Sequence, residues 1–212
     1  SYLYQIVMGN MLTPADYGTV NTLLSLSVVV GVPSGVVAAL TATYTAKYHA
    51  HGETAALAAF MHRMLRAAAV LAAAVFAVGA LLSLPIAHVL QIDEPWYVTT
   101  VMILVASNCL GPVFSSTLQG VKRFVPYSMN SVLSFALRLL LGTAFVWLGW
   151  GIAGALAALI LSACLAMLYC LYKSRDLFFA PKTEQLHLDR DEVRRYFVST
   201  FWFQLFLLLM AN

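Results

Sequence analysis

Long runs without any charged residue dominate this sequence. Asp, Glu, Lys and Arg are all absent from Tyr17 to Ala46, from Ala67 to Ile92 and from Pro95 to Val121. A fourth run, from Phe124 to Tyr172, is interrupted only by Arg138. A helix of about 20 apolar residues crosses the roughly 30 Å hydrocarbon layer of a membrane, so each run can supply one spanning helix, and the fourth can supply two. A soluble domain is excluded, because such domains carry roughly 25% charged residues and this chain carries 10%.

The predicted fold is therefore all-α, a polytopic membrane helix bundle. Gly149 and Gly151 favour a tight turn that divides the fourth run into two helices. The apolar stretches at both ends are short for a crossing, so we expect a truncated first helix, five complete spans and the start of a seventh. The predicted spans are residues 1–12, 17–46, 67–92, 95–121, 124–148 and 151–172, within an N-terminal lobe of residues 1–175, followed by a connector at residues 173–195 and a second lobe that begins at residues 196–212.

The positions of the basic residues predict the orientation in the membrane. Lys and Arg concentrate in cytoplasmic loops, and every one of them except Arg138 falls after predicted span two, four or six. These loops and the N-terminus should therefore be cytoplasmic, while Asp16, Asp93 and Glu94 should face outward. Since the basic residues lie in loops and form no binding patch, we expect no nucleic-acid partner.

Arg138 is the strongest candidate for a functional residue. An arginine at the centre of a membrane helix costs roughly 2.5 to 3.5 kcal/mol, and such a charge usually faces a protein interior or a water-filled cavity. A four-residue spacing places Asn130, Ser134 and Gly142 on the same helix face. No Asp or Glu lies in any predicted span to pair with the guanidinium, whose shape suits phosphate oxygens. We expect Arg138, Asn130 and Ser134 to bind an anionic substrate; the alternative is a structural arginine bonded to helix carbonyls.

Three amide side chains in other spans are further substrate-binding candidates. They are Asn21 in span two, with Asn108 and Gln119 in span four. Each could also serve only helix packing, because interhelical hydrogen bonds are common in membrane bundles.

Two prolines lie inside predicted spans. Pro33 stands within the segment GVPSG, and Pro112 follows a glycine. Proline bends a membrane helix, and the bend can be a hinge beside a cavity or a static kink that improves packing.

Neither a metal, a cofactor nor a catalytic residue is predicted. The three cysteines lie in apolar spans and form no spaced framework. His49, His51 and Glu53 are close together, but one short loop without further ligands is more typical of a solvated segment than of a metal site.

Four segments of the sequence resemble the polysaccharide-biosynthesis flippases, which are O-antigen-type translocases of the multidrug, oligosaccharidyl-lipid and polysaccharide exporter superfamily. The segments are LTPADYGTVNTLLSL (Leu12–Leu26), GVPSG (Gly31–Gly35), LQGVKRF (Leu118–Phe124) and LRLLLGTAFVWLGWGIAGALAALILS (Leu137–Ser162).

This resemblance implies that the chain is the N-terminal half of a multi-pass transporter in the bacterial cytoplasmic (inner) membrane. It implies alternating access that moves a lipid-linked oligosaccharide, carried on a polyprenyl pyrophosphate, for lipopolysaccharide or other cell-surface polysaccharide biosynthesis. Arg138 would face a cationic cavity. The implied partners are this substrate, membrane lipids and the polysaccharide assembly machinery, and the implied protein is not an enzyme.

Two alternatives remain open. A multidrug or cation antiporter of the same superfamily would need a membrane-embedded Asp or Glu, and the predicted spans have none. A membrane-embedded glycosyl or acyl transferase would need a general base, for which the sequence offers His88 near Asp93 and Glu94.

Overall fold

A computed structural model of the chain describes residues 2–90, 94–178, 195 and 198–202. All regular secondary structure in these ranges is helical, which confirms the all-α fold class. The helices are α1 (Tyr2–Met11), α2 (Pro14–Val30), α3 (Val32–Ala50), α4 (Thr54–Leu81), α5 (Ser83–Val89), α6 (Pro95–Gly120), α7 (Phe124–Trp147) and α8 (Gly151–Phe178).

The described helices make this a membrane-spanning protein. By length and composition, α4, α6, α7 and α8 can each cross a membrane, and α2 with α3 can form a fifth span that is bent by 48°. The bend lies at Gly31, and Pro33 stands in the first turn of α3. The predicted turn between α7 and α8 is present, with positive φ angles of 85° at Gly149 and 50° at Gly151 that favour glycine. The four helices, or five crossings if α2 and α3 form one bent span, agree with the five complete spans expected from the sequence.

Two of the predicted boundaries are wrong. Span three was predicted over residues 67–92, but α4 begins at Thr54 and ends at Leu81, and the separate helix α5 follows. Arg63 and Arg66 had been assigned to a loop, whereas they lie exposed on the early turns of α4. A helix longer than the hydrocarbon layer carries charged residues where it projects beyond the layer, so a charge does not mark its end.

The predicted connector also begins too early. Helix α8 continues through residues 173–178, which had been placed in the connector. Most of the remaining connector and of the predicted second lobe lies outside the described residues, as does Asp93.

Helix α6 is the centre of the bundle. It packs against α3, α4 and α8, while α7 packs mainly against α8. Two apolar clusters lie at opposite ends of α6. We call the first the α5-end cluster, which includes Ala87, Val98, Val101, Met102, Ile152 and Leu156. We call the second the basic-end cluster, which consists of Leu57, Met61, Phe114, Leu118, Val121, Cys170 and Phe178.

An ion pair at the basic end joins the start of α7 to the end of α8. Arg123 Nη2 donates to Asp176 Oδ2 at 2.6 Å, and Arg123 Nη1 donates to Asp176 Oδ1 and to the Lys173 carbonyl oxygen, both at 3.2 Å. Together with the basic-end cluster, this contact brings three predicted loops to one end of the molecule. The basic residues that share this end are Lys47, Arg63, Arg66, Lys122, Arg123, Lys173 and Arg175.

Candidate substrate cavity

An open cavity of about 450 Å³ lies at the mid-height of the bundle, between the levels of the two apolar clusters. Its walls come from the α2–α3 bend, from α6 around Pro112, from the first half of α7 and from the second half of α8. Polar side chains line much of it, including Ser27, Ser34, Asn108, Ser115, Asn130 and Ser134.

Most of the cavity hydroxyls are already hydrogen-bonded to their own helices. Ser27 Oγ donates to the Leu24 carbonyl oxygen and Ser34 Oγ donates to that of Gly31, each at 2.6 Å. Such local bonds satisfy the hydroxyl donor and leave the oxygen lone pairs available to a ligand. The cavity wall is therefore polar without carrying a charge.

Asn130 differs from these hydrogen-bonded serines. Its Oδ1 atom is buried and has no hydrogen-bond partner in the described part of the chain. A buried acceptor without a partner costs roughly 1 to 3 kcal/mol, so it is normally found where a ligand or water completes it. A hydroxyl or amide donor in the cavity would satisfy Asn130.

Arg138 lies one helical turn beyond Ser134 on the same face of α7, and it is outside the cavity lining. Its guanidinium carbon sits 4.5 Å from the ring centroid of Tyr4 on α1. The Nε atom is buried and has no hydrogen-bond partner among the described residues. The contact that the structure shows for this charge is an aromatic ring on another helix, and no described carboxylate forms an ion pair with it.

Gly142 makes the close approach of α1 to α7 possible. A Cβ atom at this position would lie 2.9 Å from Tyr4 Cε2 and 3.2 Å from Met8 Cε, both of which are tighter than ordinary van der Waals contact. Tyr4 is 5% exposed and Met8 is fully buried. We call the packing of Tyr4 and Met8 against Gly142, together with the contact between Tyr4 and Arg138, the α1–α7 seam.

The other predicted site residues divide into two groups. Asn108, Asn130, Ser134 and Pro112 all line the cavity, although they come from two different helices. Asn21 and Gln119 are exposed and do not line it, and Pro33 lies between the lining residues Gly31 and Ser34 without lining it itself.

Sequence reasoning missed Tyr4. The first helix was expected only as a truncated span, and an aromatic residue within it could have been considered as a partner for a cation on another helix. Nothing in the sequence, however, indicates that α1 packs against α7.

The residues considered for metal binding or acid–base chemistry do not converge. Within the described ranges, no group of three His, Cys, Asp or Glu side chains is placed to hold a metal ion. His49, His51 and Glu53 are exposed, and His88 is exposed on α5.

No protein-family model, curated protein or solved structure matches the chain. The case for a function therefore depends on the geometry of the cavity and of Arg138, together with the segments whose resemblance is given above.

Proposed function

We propose that the protein is a membrane transporter that moves a lipid-linked oligosaccharide across the bacterial cytoplasmic membrane by alternating access. The substrate would be a polyprenyl-pyrophosphate glycan for cell-surface polysaccharide biosynthesis. The observation that supports this proposal is a polar cavity at the middle of the bundle, beside an arginine that has no carboxylate partner among the described residues.

The chemistry of the cavity suits the two polar parts of such a substrate. A guanidinium group in a low-dielectric setting binds phosphate oxygens well, so Arg138 is the proposed contact for the pyrophosphate. Amide and hydroxyl groups pair with sugar hydroxyls, so Asn108, Asn130 and Ser134 are the proposed contacts for the glycan.

The helices around the cavity suit a transporter that changes shape. The cavity wall includes the 48° bend between α2 and α3, and it includes Pro112 inside α6. Interrupted membrane helices often line substrate sites near the bilayer midplane, where two bundles of helices rock against each other. The α2–α3 bend and Pro112 are the proposed hinges.

The proposed orientation follows from charge. The basic end of the molecule would face the cytoplasm, with the N-terminus on the same side, because Lys and Arg favour cytoplasmic loops. Membrane lipids and the polysaccharide assembly machinery are the proposed partners of the protein.

A cation antiporter of the same superfamily remains the second candidate. It requires a carboxylate within the membrane, and the described carboxylates, Asp16, Glu53, Glu94 and Asp176, lie at or near helix ends. This distribution favours an anionic substrate.

The test is Arg138→Leu in the full-length protein, reconstituted in liposomes with a fluorescent polyprenyl-pyrophosphate oligosaccharide. We expect the flipping rate to fall at least about hundredfold, because a charge-assisted contact in a dry site is lost. Insertion should be unchanged, since leucine favours the membrane. Arg175→Leu, at an exposed position at the end of α8, is the matched control and should flip normally. Normal flipping by Arg138→Leu would reject the proposal, and export of cationic dyes by the unmodified protein would favour the antiporter.

A further inference from the structure

Tyr4 is the one aromatic ring found over the Arg138 guanidinium in the described part of the chain. The guanidinium carbon lies 4.5 Å from the ring centroid, and Tyr4 is 5% exposed. The tyrosine hydroxyl is also buried. It makes no hydrogen bond of standard geometry among the described residues, but it lies close enough to the guanidinium to interact with it electrostatically. The ring face is the part of Tyr4 whose contact with the guanidinium has a defined distance.

A ring and a carboxylate stabilise a buried guanidinium in different ways. A carboxylate cancels the charge and occupies the N–H donors that lie in the guanidinium plane. An aromatic ring attracts the cation through its quadrupole and leaves the net charge in place. The buried Nε of Arg138, which has no partner in the described chain, is consistent with the second arrangement.

The α1–α7 seam fixes where this ring lies. Met8 is fully buried one turn along α1 from Tyr4, and both side chains fit against Gly142, which offers no Cβ. An arginine side chain loses considerable conformational freedom when it binds an anion, and a partner that already restricts it lowers that cost.

We propose that Tyr4 is a positioning residue for Arg138. Its ring holds the guanidinium beside the polar cavity in a charged, unpaired form, ready to receive the phosphate group of a lipid-linked substrate. This inference rests on the proposed function, because it assumes that Arg138 contacts an anionic group.

The experiment measures binding of a short-chain fluorescent polyprenyl pyrophosphate to the full-length protein in detergent. Tyr4→Phe keeps the ring, so its Kd should remain within about threefold of the original protein. Tyr4→Leu and Tyr4→Met remove the ring while filling the seam with apolar atoms, and each should bind about tenfold more weakly. Met8→Leu is the matched control on the same seam and should bind normally, since it conserves volume at a position whose described contact is with Gly142.

A double-mutant cycle separates positioning from general packing. If Tyr4 acts through Arg138, Tyr4→Met should weaken binding in the original protein but have no further effect in the Arg138→Leu background. An equal loss in both backgrounds would show that Tyr4 only supports the fold, and would overturn the inference. A Tyr4→Phe variant that binds as weakly as Tyr4→Met would assign the effect to the hydroxyl, and would also overturn it.

The two proposals fail in distinguishable ways. Normal binding by Arg138→Leu would reject the proposed function itself. Weak binding by Arg138→Leu together with normal binding by both Tyr4→Leu and Tyr4→Met would reject only the role of Tyr4.

Discussion

Two arginines, one immediately before helix α7 and one in the middle of it, have opposite surroundings. Arg123, immediately before the first turn, makes two hydrogen bonds to the Asp176 carboxylate and one to a carbonyl oxygen, in a region where its side chain is 41% exposed. Arg138, in the middle of the helix, has the face of a tyrosine ring and a buried Nε without a partner in the described chain. Arg123, which has the more hydrogen-bond partners, is therefore also the arginine that water could have solvated.

This difference indicates different roles. An exposed ion pair contributes little to stability, and Arg123 can be explained as a connection between two helix ends. A partly buried charge without a carboxylate partner is costly, and Arg138 has only the neutral Tyr4 side chain beside it among the described residues. This difference favours Arg138, and not Arg123, as a ligand-binding residue.

The largest effect is expected from a variant that gives Arg138 a carboxylate partner, as Arg123 has in Asp176. Ser134→Asp places a carboxylate one turn away on the same face of α7. We expect flipping to fall at least about hundredfold, because the new group pairs with Arg138 and repels an anionic substrate. Ser128→Asp, at an exposed position near the start of α7, is the control; equal losses in both variants would point to disturbed insertion.

Disturbing the α1–α7 seam should have the next largest effect. Gly142→Ala would introduce a Cβ only 2.9 Å from the Tyr4 ring, so the ring must shift. We expect a loss of about 1 to 3 kcal/mol in stability, visible as a lower unfolding temperature in detergent, together with about tenfold weaker pyrophosphate binding. Gly18→Ala meets nothing within 4 Å and should keep both properties; a Gly142→Ala protein that does the same would argue against a tight seam.

Asn130 offers a test in which stability and transport move in opposite directions. Asn130→Leu removes the buried Oδ1 that lacks a partner in the described chain, which should raise stability by about 1 kcal/mol. Flipping should nevertheless fall severalfold, because the cavity loses a contact for a hydroxyl donor. Ser131→Leu, at an exposed position on α7, should leave flipping unchanged. A lower unfolding temperature for Asn130→Leu would indicate that Asn130 is a structural residue.

The smallest effect is expected at Arg123. Arg123→Gln and Asp176→Asn should each cost only about 0.5 kcal/mol, because both side chains are exposed, at 41% and 52%. A double-mutant cycle in the free energy of unfolding should give a coupling energy below about 1 kcal/mol. This coupling energy should become smaller still in high salt. A large coupling, or a loss of flipping, would place Arg123 among the functional residues and weaken the contrast with Arg138.

The fold could be predicted from the sequence to the level of its helices. Uncharged runs predicted five complete spans, of which the structure describes four or five, and Gly149 and Gly151 predicted the turn between α7 and α8. The start of α4 could not be placed, because Arg63 and Arg66 resemble loop residues when helix length is unknown. Charge patterns locate the membrane surface and do not show where a helix ends.

The site could be predicted only in part, for a related reason. Four-residue spacing places Asn130 and Ser134 on one face of α7, and that face does line the cavity. Periodicity within one helix does not show which other helix lies opposite. Asn108 therefore lines the cavity while Gln119, on the same helix α6, does not, and the pairing of Arg138 with Tyr4 depends on contact between the first helix and the seventh.

The cavity also affects how a membrane voltage would act on this protein. Its volume of about 450 Å³ corresponds to about 15 water molecules at their volume in the liquid. Water is far more polarisable than hydrocarbon, so in a cavity filled to this extent little of the voltage would fall across the water, and most of it would fall across the apolar clusters on either side. A full crossing is worth about 2.3 kcal/mol per elementary charge for each 100 mV. An anionic headgroup that passes either cluster would therefore experience a large share of this energy over a short distance, and a cell interior that is electrically negative would drive it outward.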